Sequence, residues 1–401
     1  MKIGIFTSDF PYKAPFREET SANGQWGGVG EVVYHLALSL NKRGHEIKIF
    51  TVSSNSKDQV YIFENVEVYR YGRLFQIGST NISLKFLLSP LKYDLDVVNG
   101  HRGTPPGALS AYIYSVIKKK PLVLSIHGLY RKADVDHGGF VKKLSMLIFK
   151  VVLYNRVLQK AKAITALSNQ CVEESDYLGK HSRNVLIIPN GVDLCEMKVD
   201  ISKEECRNIL GLPLDVPIIL FLGSLTDRKG PHILLNAAPQ IVNKNPTAKI
   251  VFLGGGELKE SLKTLSVNIG VENVVNFCGF VDEKIKYYYF KAADIFCFPS
   301  FREGYPMVLL EASAFGLPLV VSDINVHKAI VRDGYNGLFF KSGEINDLAC
   351  KINLLLEDSA LRRELGKNAW EGVRNQTWDD IALNVELILS ECMGNELIDT
   401  Q

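Results

Sequence analysis

The sequence predicts an α/β protein built from two Rossmann-like halves, each a doubly wound parallel sheet. Three observations predict it. Short apolar, β-branched runs alternate with amphipathic helical stretches from end to end. Several runs are followed by glycine-rich turns, as at Gly223-Ser224 and Gly254-Gly255-Gly256, and such sheets collect ligands at the carboxyl ends of their strands. At 401 residues the chain is also too long for one ordinary core and fits two domains.

In the first half, strands are expected over Lys2–Thr7, Glu46–Val52, Val66–Tyr71, Asp96–Asn99, Leu122–Ile126, Ala163–Leu167 and Val185–Ile188. In the second half they are expected over Pro217–Leu222, Ala248–Leu253, Val274–Phe277, Asp294–Phe298, Leu319–Ser322 and Gly337–Phe340. The break falls near Asn190-Gly-Val-Asp193, before the polar stretch Cys195–Lys203. Domains are therefore expected over residues 1–193 and 194–375. Segment 376–393 holds a final helix, Trp378 to about Cys392, whose apolar residues lie along one face and could pack back on the first domain. Gly394–Gln401 is expected to fray.

Composition narrows the class. A chain 46% hydrophobic and 22% charged is an ordinary soluble globular protein. A net charge of +2 gives no strong pull toward nucleic acid or membrane. Seven scattered cysteines, an odd number with no CxxC, suit a reducing cytosol. Met1-Lys-Ile-Gly-Ile-Phe-Thr7 reads as a strand start rather than a signal peptide. No apolar run approaches the ~20 residues that span a bilayer. A cytoplasmic protein is expected.

The most informative segment is Glu303-Gly304-Tyr305-Pro306-Met307-Val308-Leu309-Leu310-Glu311. It follows the buried-strand run Ile295–Phe298 and opens a helix expected over Pro306–Phe315. Free amides and the dipole at a helix start favour an anion such as phosphate. Two carboxylates beside an anion site make sense if the ligand also carries hydroxyls, as a nucleotide sugar does. Solvated helix-start charges are the plainer reading. Against it, Glu311 lies between Leu310 and Ala312, and a carboxylate in so apolar a stretch usually has a partner.

Three further features gather at strand ends. Gly27-Gly28-Val29-Gly30 opens a helix, Glu31–Lys42, where backbone can approach a phosphate or sugar closely. It is not the dinucleotide fingerprint, because a long segment separates it from the first strand and the second strand ends Thr51-Val52-Ser53 without an acid. Arg228 and Lys229 follow the first strand of the second half, well placed to neutralise a leaving phosphate. His101 and His127 end adjacent strands of the first half, with no metal-ligand spacing nearby.

Taken in order, these motifs resemble the family 4 retaining glycosyltransferases. The resemblance rests on Gly27–Gly30 with Arg43-Gly-His45, Ser125-Ile-His127, Ile188-Pro-Asn-Gly-Val-Asp193, Asp227-Arg-Lys-Gly230, Leu253–Gly256, Phe277-Cys-Gly-Phe280, Ala292-Ala-Asp294, Pro299–Pro306 with Glu311, Gly316-Leu-Pro318, Asn336-Gly-Leu338 and Thr377-Trp378. It implies the GT-B fold: two Rossmann-like domains facing across a cleft, acceptor on the first, nucleotide-sugar donor on the second, and a C-terminal helix crossing back. It implies that Glu311 holds the ribose hydroxyls. Glu303 contacts donor-sugar hydroxyls, with Gly304, Pro306 and the amides of Tyr305 and Met307 alongside. Lys229, with Arg228, neutralises the diphosphate, helped by amides of Gly27, Gly28 and Gly30. His127 contacts the sugar or its reacting centre. The implied chemistry is front-face attack, with the departing phosphate accepting the acceptor's proton, no protein nucleophile and no metal or other cofactor.

One position departs from the pattern. Many relatives carry Arg directly after the strand glycine, where this chain has Ser224. Either Arg228 replaces that cation or the diphosphate site is weak. A weak site would fit a non-catalytic nucleotide-sugar-binding partner of an active subunit. Against a nucleotide-sugar epimerase speak the Glu303/Glu311 spacing and the Asn190–Asp193 junction. The expected function is transfer of a sugar to a glycan or lipid-linked glycan in cell-surface polysaccharide or glycoconjugate synthesis. Segment Phe140–Lys160 mixes cations with apolar residues and reads either as a core helix or as a basic face for peripheral contact with the inner membrane surface.

Overall fold

The computed structural model describes residues 1–11, 28–77, 80–102, 105–128, 155–175, 178 and 185–394. The chain divides into two compact units. One runs to Gly191 and takes in the C-terminal helix, and the other is Val192–Thr377.

The first unit contains β1 (Lys2–Phe6), β2 (Glu46–Val52), β3 (Gln59–Phe63), β4 (Val66–Tyr71), β5 (Phe75–Ile77), β6 (Thr80–Ile82), β7 (Val97–Arg102), β8 (Leu122–Ile126), β9 (Ala163–Ala166) and β10 (Val185–Ile187). Eight of them form one sheet in the order β10-β9-β8-β7-β1-β2-β4-β3. Pairing is parallel except for β3 on β4. All five residues of β8 are buried, as expected of a strand covered on both faces. β3 alternates half-buried and exposed residues because it is the sheet edge. Its hairpin with β4 turns through Glu64 and Asn65, both at positive φ. Two left-handed residues match the twist of the paired strands. β5 and β6 form a separate hairpin. The sequence reading did not include β3, β5 or β6.

The C-terminal helix Trp378–Met393 buries Trp378, Ile381, Ala382, Val385, Ile388, Leu389 and Cys392, one face at helical spacing. Trp378 stacks on the His35 ring at 5.3 Å. Glu386 pairs with Arg43 and, at 3.1 Å, with His45. The helix thus packs on Gly28–Lys42 of the same unit. That first helix begins at Gly28, so Gly28 and Gly30 lie within its opening turn rather than in a preceding loop.

The second unit contains β11 (Ile218–Leu222), β12 (Lys249–Leu253), β13 (Val275–Gly279), β14 (Ile295–Phe298), β15 (Leu319–Ser322) and β16 (Gly337–Phe340). They form an all-parallel sheet in the order β13-β12-β11-β14-β15-β16. The order reverses at β11, between β12 and β14. In doubly wound sheets ligands bind outside the carboxyl ends at such a point. Asp294, just before β14, anchors the helix Lys203–Leu210 through Arg207 at 2.8 Å and Lys203 at 2.6 Å. Among the described residues no helix is long and apolar enough to cross a membrane.

Candidate active site

In the second unit, the loops that leave β11 and β14 meet, and the second leads into the helix Met307–Ala314. After β11 the chain makes a 3₁₀ turn, Asp227–Lys229, closed by Gly230 in the left-handed region. A Cβ on Gly230 would sit 2.2 Å from the Pro299 carbonyl oxygen, so only glycine lets this turn lie against the loop after β14. The amide of Phe301 donates to the Arg228 carbonyl and fastens the two loops. Gly254, at φ +126°, packs as tightly: a Cβ would fall 2.1 Å from the Gly223 carbonyl oxygen. The loops after β11 and β12 are thus pressed together.

This packing brings Lys229, Arg228 and Glu303 into one cluster. The Glu303 carboxylate is only 5% exposed. Its oxygens lie 2.8 and 2.9 Å from Lys229 Nζ, and Oε2 also lies 3.2 Å from Arg228. Ser300 Oγ donates to Oε1 at 2.6 Å. Arg228 donates as well to the Arg302 carbonyl at 3.0 Å. Lys229 Nζ sits 4.8 Å from the centre of the Phe298 ring. Burial holds the Lys229 ammonium below its usual pKa, Glu303 works against that shift, and Arg228 adds to it.

His327 lies behind this cluster, fully buried, with its ring 5.8 Å from Phe298. Nδ1 is 2.8 Å from the Ser322 carbonyl oxygen. Nε2 has no partner among the described residues. Burial pushes this imidazole down to about 4, so it is neutral at pH 7.

Pro306 caps the helix Met307–Ala314 without a side-chain hydrogen bond. The helix therefore starts one residue later than expected, with Pro306 just outside it. Glu311 is its fifth residue and pairs with Lys286 at 2.9 Å, both largely covered. The partner demanded by the apolar surroundings of Glu311 is thus a lysine from the helix Glu283–Ala292. Tyr305 takes a hydrogen bond from Gln376 at 3.5 Å.

In the first unit, β7 runs further than expected and carries His101 within it, beside Ser125 of β8. His127 lies one residue beyond β8. His101 Nδ1 and His127 Nε2 are 2.8 Å apart. Below them, Thr165 donates to Ser125 at 3.1 Å and Ser125 to Asn99 at 2.9 Å, a polar row across three strands. Burial lowers the pKa of both histidines, that of His127 to about 4.

Of the residues read from the sequence, the fold brings Arg228, Lys229 and Glu303 into direct contact. It places Gly304, Tyr305, Pro306, Met307 and Glu311 along the same loop and helix. His127, Gly28 and Gly30 belong to the other unit. Gly27 lies outside the described residues, as do most of Ser8–Gln25 and all of Arg131–Gly139. Of Phe140–Lys160 only the helix Asn155–Lys160 is described. Sequence reasoning missed Ser300, Lys286 and His327. Ser300 lies inside the recognised motif Pro299–Pro306 but received no role there, whereas no local pattern marks the other two.

Two family models match the chain: Glycosyltransferase Family 4 over residues 26–196 and Glycosyl transferases group 1 over residues 202–371. An uncharacterised glycosyltransferase of Methanocaldococcus jannaschii is 26% identical across 98% of this chain and 100% of its own. The O-antigen chain mannosyltransferase C of Escherichia coli is 27% identical across 86% of this chain and 88% of its own. An Anabaena protein solved with UDP-glucose superposes with a TM-score of 0.73 at 19% identity, covering 98% of this chain and 100% of the other. One sheet parallel except for its β3 edge and one all-parallel sheet agree with these matches, and the chain is a family 4 glycosyltransferase with the GT-B fold.

Proposed function

We propose that the enzyme transfers a sugar, with retention of anomeric configuration, from a nucleotide-diphosphate sugar to a glycan or lipid-linked glycan acceptor in cell-surface polysaccharide or glycoconjugate synthesis. The observation that carries this reading is the buried Glu303 held between Lys229 and Arg228 at the start of the helix Met307–Ala314. It combines two cations, a helix N-terminus and a carboxylate, the groups that a diphosphate and a sugar hydroxyl each need.

In this reading the nucleotide's diphosphate takes over Lys229 and Arg228, which Glu303 holds in place until then. Charge builds on the departing phosphate in the transition state, and preorganised cations stabilise it there. The departing phosphate oxygen accepts the acceptor's proton, and the acceptor oxygen bonds to the anomeric carbon on the face the phosphate leaves. Glu311 binds the ribose hydroxyls, with Lys286 fixing its carboxylate. Glu303 contacts the donor sugar. The lysine–arginine pair makes a metal ion dispensable. In this reading Arg228, held beside Lys229 on Glu303, stands in for the cation absent at Ser224. We assign the protein to the cytoplasm, acting at the inner membrane face when its acceptor is lipid-linked.

A thermal-shift screen against UDP, GDP, ADP and their sugars tests the donor site. A ligand at 100 times its Kd adds ~2.7 kcal/mol. Stabilisation by one nucleotide class supports the reading, and no shift with any of them counts against it.

A further inference from the structure

Once a diphosphate engages Lys229 and Arg228, as proposed above, Glu303 loses the two cations that flank it. Among the described residues, Lys229 Nζ lies against both Glu303 oxygens, at 2.8 and 2.9 Å, and Arg228 against Oε2 at 3.2 Å. Ser300 Oγ lies 2.6 Å from Oε1. A carboxylate oxygen accepts, so the hydroxyl donates. Ser300 is fully buried and does not reach a ligand, so its bond to Oε1 survives when the cations change partner. Without it, a carboxylate only 5% exposed would be left with no partner at the moment the donor binds, which is costly.

Ser300 is itself held in place. Its carbonyl accepts from the Ser322 hydroxyl. Ser322 ends β15, which runs parallel to β14 with Val321 opposite Phe298. The Ser322 carbonyl accepts in turn from His327 Nδ1 at 2.8 Å; a carbonyl cannot donate, so that nitrogen carries the proton. On the next residue, the Phe301 amide donates to the Arg228 carbonyl at 3.0 Å. A buried row of His327, Ser322 and Ser300 therefore ends on one oxygen of Glu303 and fixes where that oxygen sits. We infer that Ser300 is a positioning residue for Glu303: it keeps Oε1 on the protein and leaves Oε2 to accept from a hydroxyl of the donor sugar once the cations have turned to the diphosphate. This role rests on the proposed contact of Glu303 with the donor sugar.

Wild type, Ser300→Ala, Ser300→Thr, Glu303→Gln and the double variant Ser300→Ala with Glu303→Gln test it in the full chain. Release of nucleoside diphosphate from UDP-glucose and GDP-mannose gives the kinetic arm. Ser300→Ala should lower turnover about tenfold or more, the loss of one hydrogen bond to a charged group, with KM within about twofold of wild type. Ser300→Thr keeps the hydroxyl and should restore turnover to within about threefold. The double variant should be no slower than Glu303→Gln alone. Crystals of wild type with UDP or GDP give the structural arm: Lys229 should have moved to phosphate while Oε1 stays within hydrogen-bond distance of Ser300 Oγ. Ser300→Ala at wild-type turnover, or losses that add in the double variant, would overturn the inference. So would a nucleotide complex in which Glu303 has left Ser300, and that result needs neither turnover nor a folded variant. A Glu303→Gln enzyme as fast as wild type would instead remove the proposed role of Glu303 on the sugar, and the positioning role with it. Consumption of neither donor, with neither UDP nor GDP bound, would count against the proposed function itself.

Discussion

Replacing Glu303 by Ala strips Lys229 of its counter-ion while leaving the ammonium only 14% exposed. The Ser300 hydroxyl loses its acceptor in the same step. Breaking a buried ion pair from one side costs about 3–5 kcal/mol. Arg228 is 44% exposed, turns to water and adds little. Lys229 retains a little solvent access and already has a lowered pKa, so the low end applies, about 3 kcal/mol. For a cooperative unit of about 150–250 residues this is a Tm fall of about 6–12 °C. Removing both charges, as in Glu303→Ala with Lys229→Met, should recover part of the loss, because no buried charge is then left alone. Calorimetric scans of wild type, the single and the double variant check this. Scans with the nucleoside diphosphate selected by the screen check the functional half. In the proposed mode Glu303 competes with the diphosphate for Lys229, so Glu303→Ala should bind the free nucleotide at least as tightly as wild type. A single variant that melts within about 1 °C of wild type, or binds the nucleotide tenfold more weakly, would refute the reasoning.

Glu311→Ala should weaken binding of the free nucleoside diphosphate by about tenfold, since a charge-assisted hydrogen bond is worth ~1.5–3 kcal/mol. Isothermal calorimetry measures it, and an unchanged Kd would place the ribose elsewhere. Ser224→Arg should leave nucleotide affinity within about twofold if Arg228 already fills that role, whereas a gain of about tenfold or more, roughly 1.4 kcal/mol, would show a site short of a cation. His327 titrates at about 4 in the fold, below its usual 6.5, so its contribution to stability is fully present above pH 6.5 and is lost as pH falls through about 4. The stability difference between wild type and His327→Phe should shrink by on the order of 3 kcal/mol across that window; a pH-independent difference in the unfolding of the second unit would contradict it.

Much of the fold was legible because period and punctuation agreed. The run from Ile218 to Leu222 is apolar throughout, is followed by Gly223, and forms the central strand of its sheet. Edge elements were not legible. Val60 and Ile62 are exposed in β3, which has no buried face for a pattern to report. The extension of β7 through Gly100 and His101 was missed because those residues look like a loop start and form a strand only beside β8. The candidate site divides the same way. Glu303 and Lys229 announced themselves through adjacent Gly and Pro, but their contact spans 74 positions. Likewise Lys286 reaches Glu311 only because two helices pack, and the ring-to-ring bond of His101 and His127 depends on the parallel register of β7 and β8. Local sequence reports which side chains stand at strand ends. Which of them touch is decided by tertiary packing.

The central claim is retaining sugar transfer through Lys229, and the anomeric configuration of the product tests it most directly. The donor that stabilises the protein is offered with an acceptor panel, and the product is followed by proton NMR from the first turnovers. The account predicts the donor's own anomeric configuration in the product, and a rate lowered by about 10²-fold or more in Lys229→Ala. An inverted product, or a Lys229→Ala enzyme within about twofold of wild type, would contradict it.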